Sequence, residues 1–206
     1  MGQKNYEKAR IAVDAVIFTI KDRSLKLLLH QREKEPFKER KELPGGLLLP
    51  DETAEETLQR KLHELTGQKK IFFQQFYTFT TPGRDPRERT ASIGFIALVN
   101  SERITSTGDW RAYDSLPELA FDHKEIIQKA RHYLKDNISS LIAREFMPDK
   151  FPLNKLQKVY EVIEQKKYDN RNFRKKMLSS GIVKETEESE RNVSHRPAKL
   201  YIFKKE

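Results

Sequence analysis

The sequence has no cysteine in its 206 residues. That excludes disulfides, thiolate nucleophiles and cysteine-ligated zinc, and it fits a reducing, cytoplasmic setting. It also has no apolar run near the ~20 residues a membrane-spanning helix needs; stretches such as Val13 to Ile20 are far too short, so no membrane partner is expected. Internal repeats are absent, and the acidic "KETEESE" is the nearest approach to low complexity. His30, His63, His123 and His132 are scattered without metal-ligand spacing, and no Ser/His/Asp arrangement can be assembled, so a hydrolytic triad is not indicated.

Positive charge is abundant, and it is unevenly distributed. The formal net charge is +9, with 15 Lys/Arg against 8 Asp/Glu from Lys150 to Glu206 and a near balance before that point. A cationic field concentrated in one segment attracts polyanions, which makes nucleic acid a candidate partner for the C-terminal quarter.

Apolar alternation over Ile11 to Ile20, Lys26 to His30, Ile71 to Thr80 and Ala91 to Val99 predicts strands. Thr53 followed by Glu56 forms a capping box, and Leu58, Leu62 and Leu65 recur at helical spacing behind it. A second helix is expected to open at Asp122 with Glu125 as its cap partner, carrying Ile126, Ile127, Ala130 and Leu134 inward and ending near "KDNISS". After Pro148 and Pro152 the pattern becomes helix, turn, helix and two strands. Leu156, Val159, Tyr160 and Ile163 form the stripe of the first of these helices. Asp169 caps the second, Phe173 and Met177 anchor it, and Gly181 ends it in a left-handed conformation. "GIVKETEE" and "AKLYIFKK" then read as antiparallel strands joined by a polar loop.

Gly46, Glu52, Arg60, Glu64 and Gly67 are spaced as in the Nudix box. The resemblance implies an α/β/α sandwich of mixed sheet. It also implies a helix on which three carboxylates at i, i+3 and i+4 hold Mg²⁺ against a substrate diphosphate. Those positions are Lys61, Glu64 and Leu65 here, so one carboxylate remains of three. A lysine repels a dication, Leu65 extends the apolar stripe, and Glu52 with Arg60 can pair to hold the loop on the helix.

Gly83 to Leu98, Ala120 to Arg131, Arg171 to Met177 and Arg196 to Tyr201 extend the match. Together they resemble the Nudix-related transcriptional regulators, in which a Nudix-like domain senses a small molecule and a C-terminal winged helix binds operator DNA as a dimer. The expectation is an α+β chain with a Nudix-like effector domain over 1–140 and a winged helix-turn-helix domain over 141–206. It would be a cytoplasmic, homodimeric repressor of double-stranded operator DNA, with no cofactor. The effector would be ADP-ribose or a pentose sugar. The competing readings are a Mg²⁺-dependent hydrolase of a nucleoside diphosphate derivative and a plain interaction module.

Arg171 and Asn172, at the start of the second C-terminal helix, suit base contacts, with Arg174 as a third candidate. Lys175 and Lys176 suit phosphates, and His195, Arg196 and Lys199 would serve from the wing, with Pro197 stiffening the chain after Arg196. For the effector, the candidates are Arg32, Glu64, Arg84 and Arg87, the last two in a polar loop that also holds Asp85 and Arg89.

Overall fold

The computed structural model describes residues 8–66, 71–104, 108–191, 193–194 and 196–204. Gly67 of the box and His195 of the wing lie outside that set.

The N-terminal region is built on β1 (Arg10–Lys21), β2 (Ser24–Gln31), β3 (Lys41–Glu42), β4 (Gly45–Leu47), β5 (Phe72–Phe79), β6 (Thr90–Leu98) and β7 (Asp109–Ala112). They form one seven-stranded sheet whose main path is β3-β2-β1-β6-β5, with β4 added to β1 and β7 to β2. Only β1 and β6 run parallel, so the sheet is mixed. β1 and β2 are joined by a two-residue turn at Asp22 and Arg23, both at positive φ, the backbone twist that a tight hairpin requires.

Two helices cover the sheet, α1 (Ala54–Thr66) and α2 (His123–Asp136). The period-2 alternation of β1 supplies both faces. Val13, Ala15 and Ile17 pack with Leu58 and Leu62 of α1. Val16 and Phe18 pack with Ile126, Ile127, Ala130 and Leu134 of α2. This is the expected α/β/α sandwich.

The C-terminal region contains α3 (Ser140–Glu145), β8 (Phe151–Pro152), α4 (Leu153–Glu164), α5 (Asn170–Ser179), β9 (Val183–Ser189) and β10 (Lys199–Phe203). The stripe on α4 is buried as anticipated, α5 buries Phe173 and Met177, and Gly181 has φ +70°. The wing strands β9 and β10 are antiparallel, and β10 also pairs with β8.

One local expectation is corrected, and one element is added. Asp122 precedes α2 but makes no side-chain capping bond, because Arg84 holds both of its carboxylate oxygens. α3 was not anticipated: it has six residues, too few for a periodic pattern, and Ser139 Oγ caps it by accepting from the Ile142 N–H.

The apolar core does not stop between the two regions. Ile126, Ile127 and Leu134 of α2 belong to the same cluster as Phe146, Leu156, Ile163, Phe173 and Tyr201. Arg131 on α2 reinforces this junction. It is buried, and its Nη2 donates to the carbonyls of Ile163 at 2.6 Å and Val162 at 3.2 Å, groups in the last turn of α4 that have no partner inside the helix. Replacing Arg131 by Met keeps the apolar stem but removes those donors. The expected outcome is a loss of about 1–3 kcal/mol, read as a lower urea midpoint with an unchanged slope.

Candidate functional site

A cavity of about 140 Å³ opens at the end of the sheet where β1, β2, β4, the 84–90 loop and the start of α2 converge. Its walls include Arg32, Arg84 and Arg87, so three of the four sequence candidates meet there, together with Asp14, Glu42, Asp85, Phe121 and His123. Glu64, the fourth candidate, is not among the wall residues. It is an exposed side chain on α1 that pairs with Lys61 and Arg60.

Each wall guanidinium already has a carboxylate partner. Arg84, whose side chain is only 6% exposed, grips both oxygens of Asp122 at 2.7 and 2.8 Å and reaches Asp14 Oδ2 at 3.3 Å. Burial disfavours its charge, but the hydrogen bond to Asp122 and the charges of Asp14 and Asp122 outweigh that and raise its pKa. Arg32 binds Glu42 at 2.9 Å and the Pro36 carbonyl at 2.5 Å. Burial alone would raise the Glu42 pKa, and the bonds from His30 and Arg32 instead bring it below the usual range. Arg87 holds Asp85 in a fork at 2.9 and 2.7 Å. Arg32 and Arg87 also lie 4.7 and 5.4 Å from the ring centre of Phe121, close enough for cation–π attraction.

His123 is fixed as a neutral imidazole. Its Nδ1 accepts the Leu43 backbone N–H at 2.9 Å, so the proton must sit on Nε2, which faces Asp14 Oδ1 at 3.4 Å. Burial pushes its pKa down, against the pull of Asp14 and Glu42. Asp14 is further held by the Ser92 hydroxyl at 2.5 Å. Opposite it, Gly45 permits β4 to approach β1, since a Cβ there would lie 2.3 Å from the Val13 carbonyl oxygen.

The sequence pattern missed Asp14, Glu42, Phe121 and His123 as wall residues. An acid inside the otherwise apolar "VDAVIF" was the available signal, because buried carboxylates are rare unless they are paired.

On α1 the capping box forms: the Thr53 N–H donates to Glu56 at 2.8 Å and the Glu56 N–H to Thr53 Oγ1 at 3.2 Å. Glu52 and Arg60 make two 2.7 Å bonds, and the Thr57 hydroxyl adds a third to Glu52 at 2.9 Å. The Arg60 guanidinium is the main reason the Glu52 carboxyl is held down at about 2. At the positions where Nudix catalysis needs carboxylates, Lys61 donates to Glu64 at 2.9 Å and Leu65 packs against the α1-side core. Among the described residues no group of three or more His, Asp or Glu side chains is placed to hold a metal. This donor set does not fit a divalent cation.

The second candidate surface is α5 and the wing. Asp169 caps α5 by accepting from the Asn172 N–H at 2.9 Å. With Phe173 and Met177 buried, Arg171, Asn172, Lys175 and Lys176 are all exposed. Arg174 is also exposed but leans on the wing, with its Nη2 3.3 Å from Glu185 and its guanidinium 5.5 Å from the Tyr201 ring centre. It therefore ties α5 to β9 and β10. Lys199 at the start of β10 and Arg196 before it are exposed.

A mixed sheet between two helices, carrying a degenerate box and continuing into a helix-turn-helix with a two-stranded wing, defines a Nudix domain fused to a DNA-binding winged helix. The family comparisons agree: the NUDIX domain matches residues 8–134 and the NrtR DNA-binding winged helix domain matches residues 143–203. The chain belongs to the NrtR family of Nudix-related transcriptional regulators.

Among its relatives is the ADPR responsive transcriptional repressor NtrR of Acinetobacter baylyi, 31% identical over 212 residues, covering 98% of this chain and 84% of the relative. Shewanella oneidensis NrtR, solved with a 27mer DNA, is 32% identical with a TM-score of 0.83, covering 94% of this chain and 93% of that one. The NUDIX domain of the same Shewanella protein, solved with ADP ribose, is 32% identical at TM-score 0.53, over 65% of this chain and 94% of that one. An ADP-ribose pyrophosphatase of Methanocaldococcus jannaschii is 34% identical over 128 residues, covering 60% of this chain and 73% of the relative. Among the described residues no helix is long and apolar enough to cross a membrane.

The Glu52–Arg60 pair carries a pH signature. Because folding lowers the Glu52 pKa from 4.5 to about 2, its contribution to stability is fully present above the unfolded value and disappears as pH falls through the folded one. Wild type should therefore melt above Glu52→Gln at about pH 6, and the gap should shrink below about pH 4.5 and close only below about pH 2. Thermal melts across that range check it.

Proposed function

We propose that this protein is a transcriptional repressor whose Nudix domain binds ADP-ribose as effector and whose winged helix binds operator DNA, acting as a homodimer on an inverted repeat. The carrying observation is α5: it presents Arg171, Asn172, Lys175 and Lys176 to solvent from a helix whose inner face is locked by Phe173 and Met177. That is the geometry with which a recognition helix enters a major groove. The likeness to Shewanella NrtR over nearly the full chain supports the reading.

For the effector, the wall guanidiniums of Arg32, Arg84 and Arg87 are donors suited to phosphate oxygens, for which an anionic ligand would compete with their present partners Glu42, Asp122 and Asp85. The names of the Acinetobacter relative and of the Shewanella ADP ribose complex point the same way.

Hydrolysis is the second reading, favoured by the likeness to the Methanocaldococcus pyrophosphatase. Lys61 and Leu65 oppose it, since they remove two of the three carboxylates that Mg²⁺ chemistry uses. Cleavage of ADP-ribose with Mg²⁺ is expected to be absent or far below the ~10 s⁻¹ typical of enzymes. Turnover near that value, abolished by Glu64→Gln, would establish the enzyme instead.

Titrating operator and scrambled duplex at several salt concentrations tests the DNA reading. Lys175→Ala and Lys176→Ala should weaken binding to both duplexes and flatten the log–log salt slope by about 0.9 for each phosphate that is no longer neutralised. Arg171→Ala should cost about 1–3 kcal/mol on operator and relax preference at one base pair. ADP-ribose should change operator affinity, and operator must then change ADP-ribose affinity by the same factor. Wild-type protein that prefers no genomic fragment over scrambled DNA defeats the regulator reading.

A further inference from the structure

A second cavity, of about 540 Å³, lies between the two domains. One side is formed by the β1–β2 turn, the Tyr113–Asp114 segment and Arg131 of α2, the other by α4, the turn after it and the first residue of α5. Its volume is in the range of small-molecule sites, which favour the space between domains. It shares no wall residue with the pocket of Arg32, Arg84 and Arg87.

The two cavities differ in electrostatics. In the first pocket each arginine is held by a carboxylate. The cleft has Arg23, Arg131, Lys158 and Lys167 in its walls against Asp114 and Glu161, an excess of two positive charges. Glu161 is already occupied, by Lys167 at 3.5 Å, the Tyr168 N–H at 3.0 Å and Gln157 Nε2 at 3.1 Å. Among the described residues Arg23, Arg131 and Lys158 form no ion pair.

Arg131 is the group most in need of a partner. It is 6% exposed, its Nη2 is taken up by the Val162 and Ile163 carbonyls, and its buried Nη1 has no acceptor among the described residues. The neighbours of the guanidinium are themselves cleft walls: Val162, whose carbonyl Nη2 reaches, and Tyr113, whose ring centre is 5.8 Å from Cζ. The charged end of the side chain is therefore at the cleft. Burial pushes its pKa down against the pull of Tyr113 and Asp114, yet a guanidinium keeps its proton in a protein. A buried positive charge bonded only to neutral carbonyls is stabilised by an anion that brings both a counter-charge and an acceptor.

We propose that this cleft is a second ligand site, which takes the phosphate of a small phosphomonoester against Arg131 with Arg23 and Lys158 as flanking cations. At neutral pH such a group carries roughly two negative charges, which matches the excess on the walls. The cavity is larger than a phosphate needs, and Tyr113, Tyr168 and Asn154 line it with surface suited to an organic body. The proposal does not depend on the ADP-ribose reading, and its failure leaves that reading intact.

Calorimetric titration of the full-length protein with phenyl phosphate at neutral pH, with ionic strength held by sodium chloride, tests this. Wild type should bind the probe. Arg23→Ala and Lys158→Ala, at an exposed and a half-buried position, should each weaken binding, and together more so. Arg131→Met should weaken it by about tenfold or more, with circular dichroism showing that each variant is folded. If Arg131→Met does not fold, the Arg23→Ala, Lys158→Ala double variant carries the test. Binding should persist in Arg87→Ala, which alters the other pocket.

The proposal is overturned by wild type that binds no phenyl phosphate, by binding that survives intact in the double variant, or by binding lost in Arg87→Ala instead. A double variant that binds phenyl phosphate as wild type does, but holds DNA of every sequence less tightly and with a shallower salt dependence, assigns these cations to the DNA backbone and overturns it equally.

Discussion

The carboxylate of Asp14, buried in the central strand of the sheet, organises the pocket end of the molecule. It accepts from Ser92 on the parallel neighbour β6, faces the proton on His123 at the start of α2, and sits beside Arg84 from the 84–90 loop. Through His123 the same network reaches the Leu43 amide, and through Gly45 it sets how closely β4 lies on β1. A buried charge with one partner removed is strongly destabilising. Asp14 therefore obliges four separate segments to keep a fixed arrangement, and the pocket walls are the product of that obligation.

The box helix retains some elements of a catalytic Nudix site and has lost others, and the division is physical. The capping box and the Glu52–Arg60 fork persist, and both hold the approach to α1 against the helix itself. The carboxylates that would face a metal have become an ammonium and a packed leucine. What survives is the part that ties the loop to the helix, without two of the three carboxylates that would concentrate dications.

α2 joins the two ends of the protein. Its first residues, with Asp122 just before them, belong to the pocket network, and its middle carries Arg131 to the last carbonyls of α4. α4 packs in turn against α5 in a core continuous with that of the sheet. A change at the pocket thus meets a helix packed through a continuous core toward α5 of the winged-helix domain, rather than a linker.

Much of this was legible in the residues alone. The four long strands, the capping box, the stripe on α4, the Asp169 cap and Gly181 follow from local periodicity and hydrogen-bonding chemistry, which adjacent residues carry with them. The loss of two metal-site carboxylates is likewise a matter of residue identity, and the matching domain families span nearly the whole chain. The short strands β3, β4, β7 and β8 and the six-residue α3 were not legible, because elements of two to six residues hold too little pattern and exist only by pairing with distant partners. Asp122 looked like a helix cap until Arg84, 38 residues away, claimed it. The partners of His123, which are Leu43 and Asp14, and those of Arg174, which are Glu185 and Tyr201, come from segments that spacing along the chain does not name. The sequence by itself determined which local elements form and which chemistry is missing, since those depend on neighbours along the chain. The tertiary structure alone decided which charges meet, because a carboxylate's partner is set by the fold and not by its spacing.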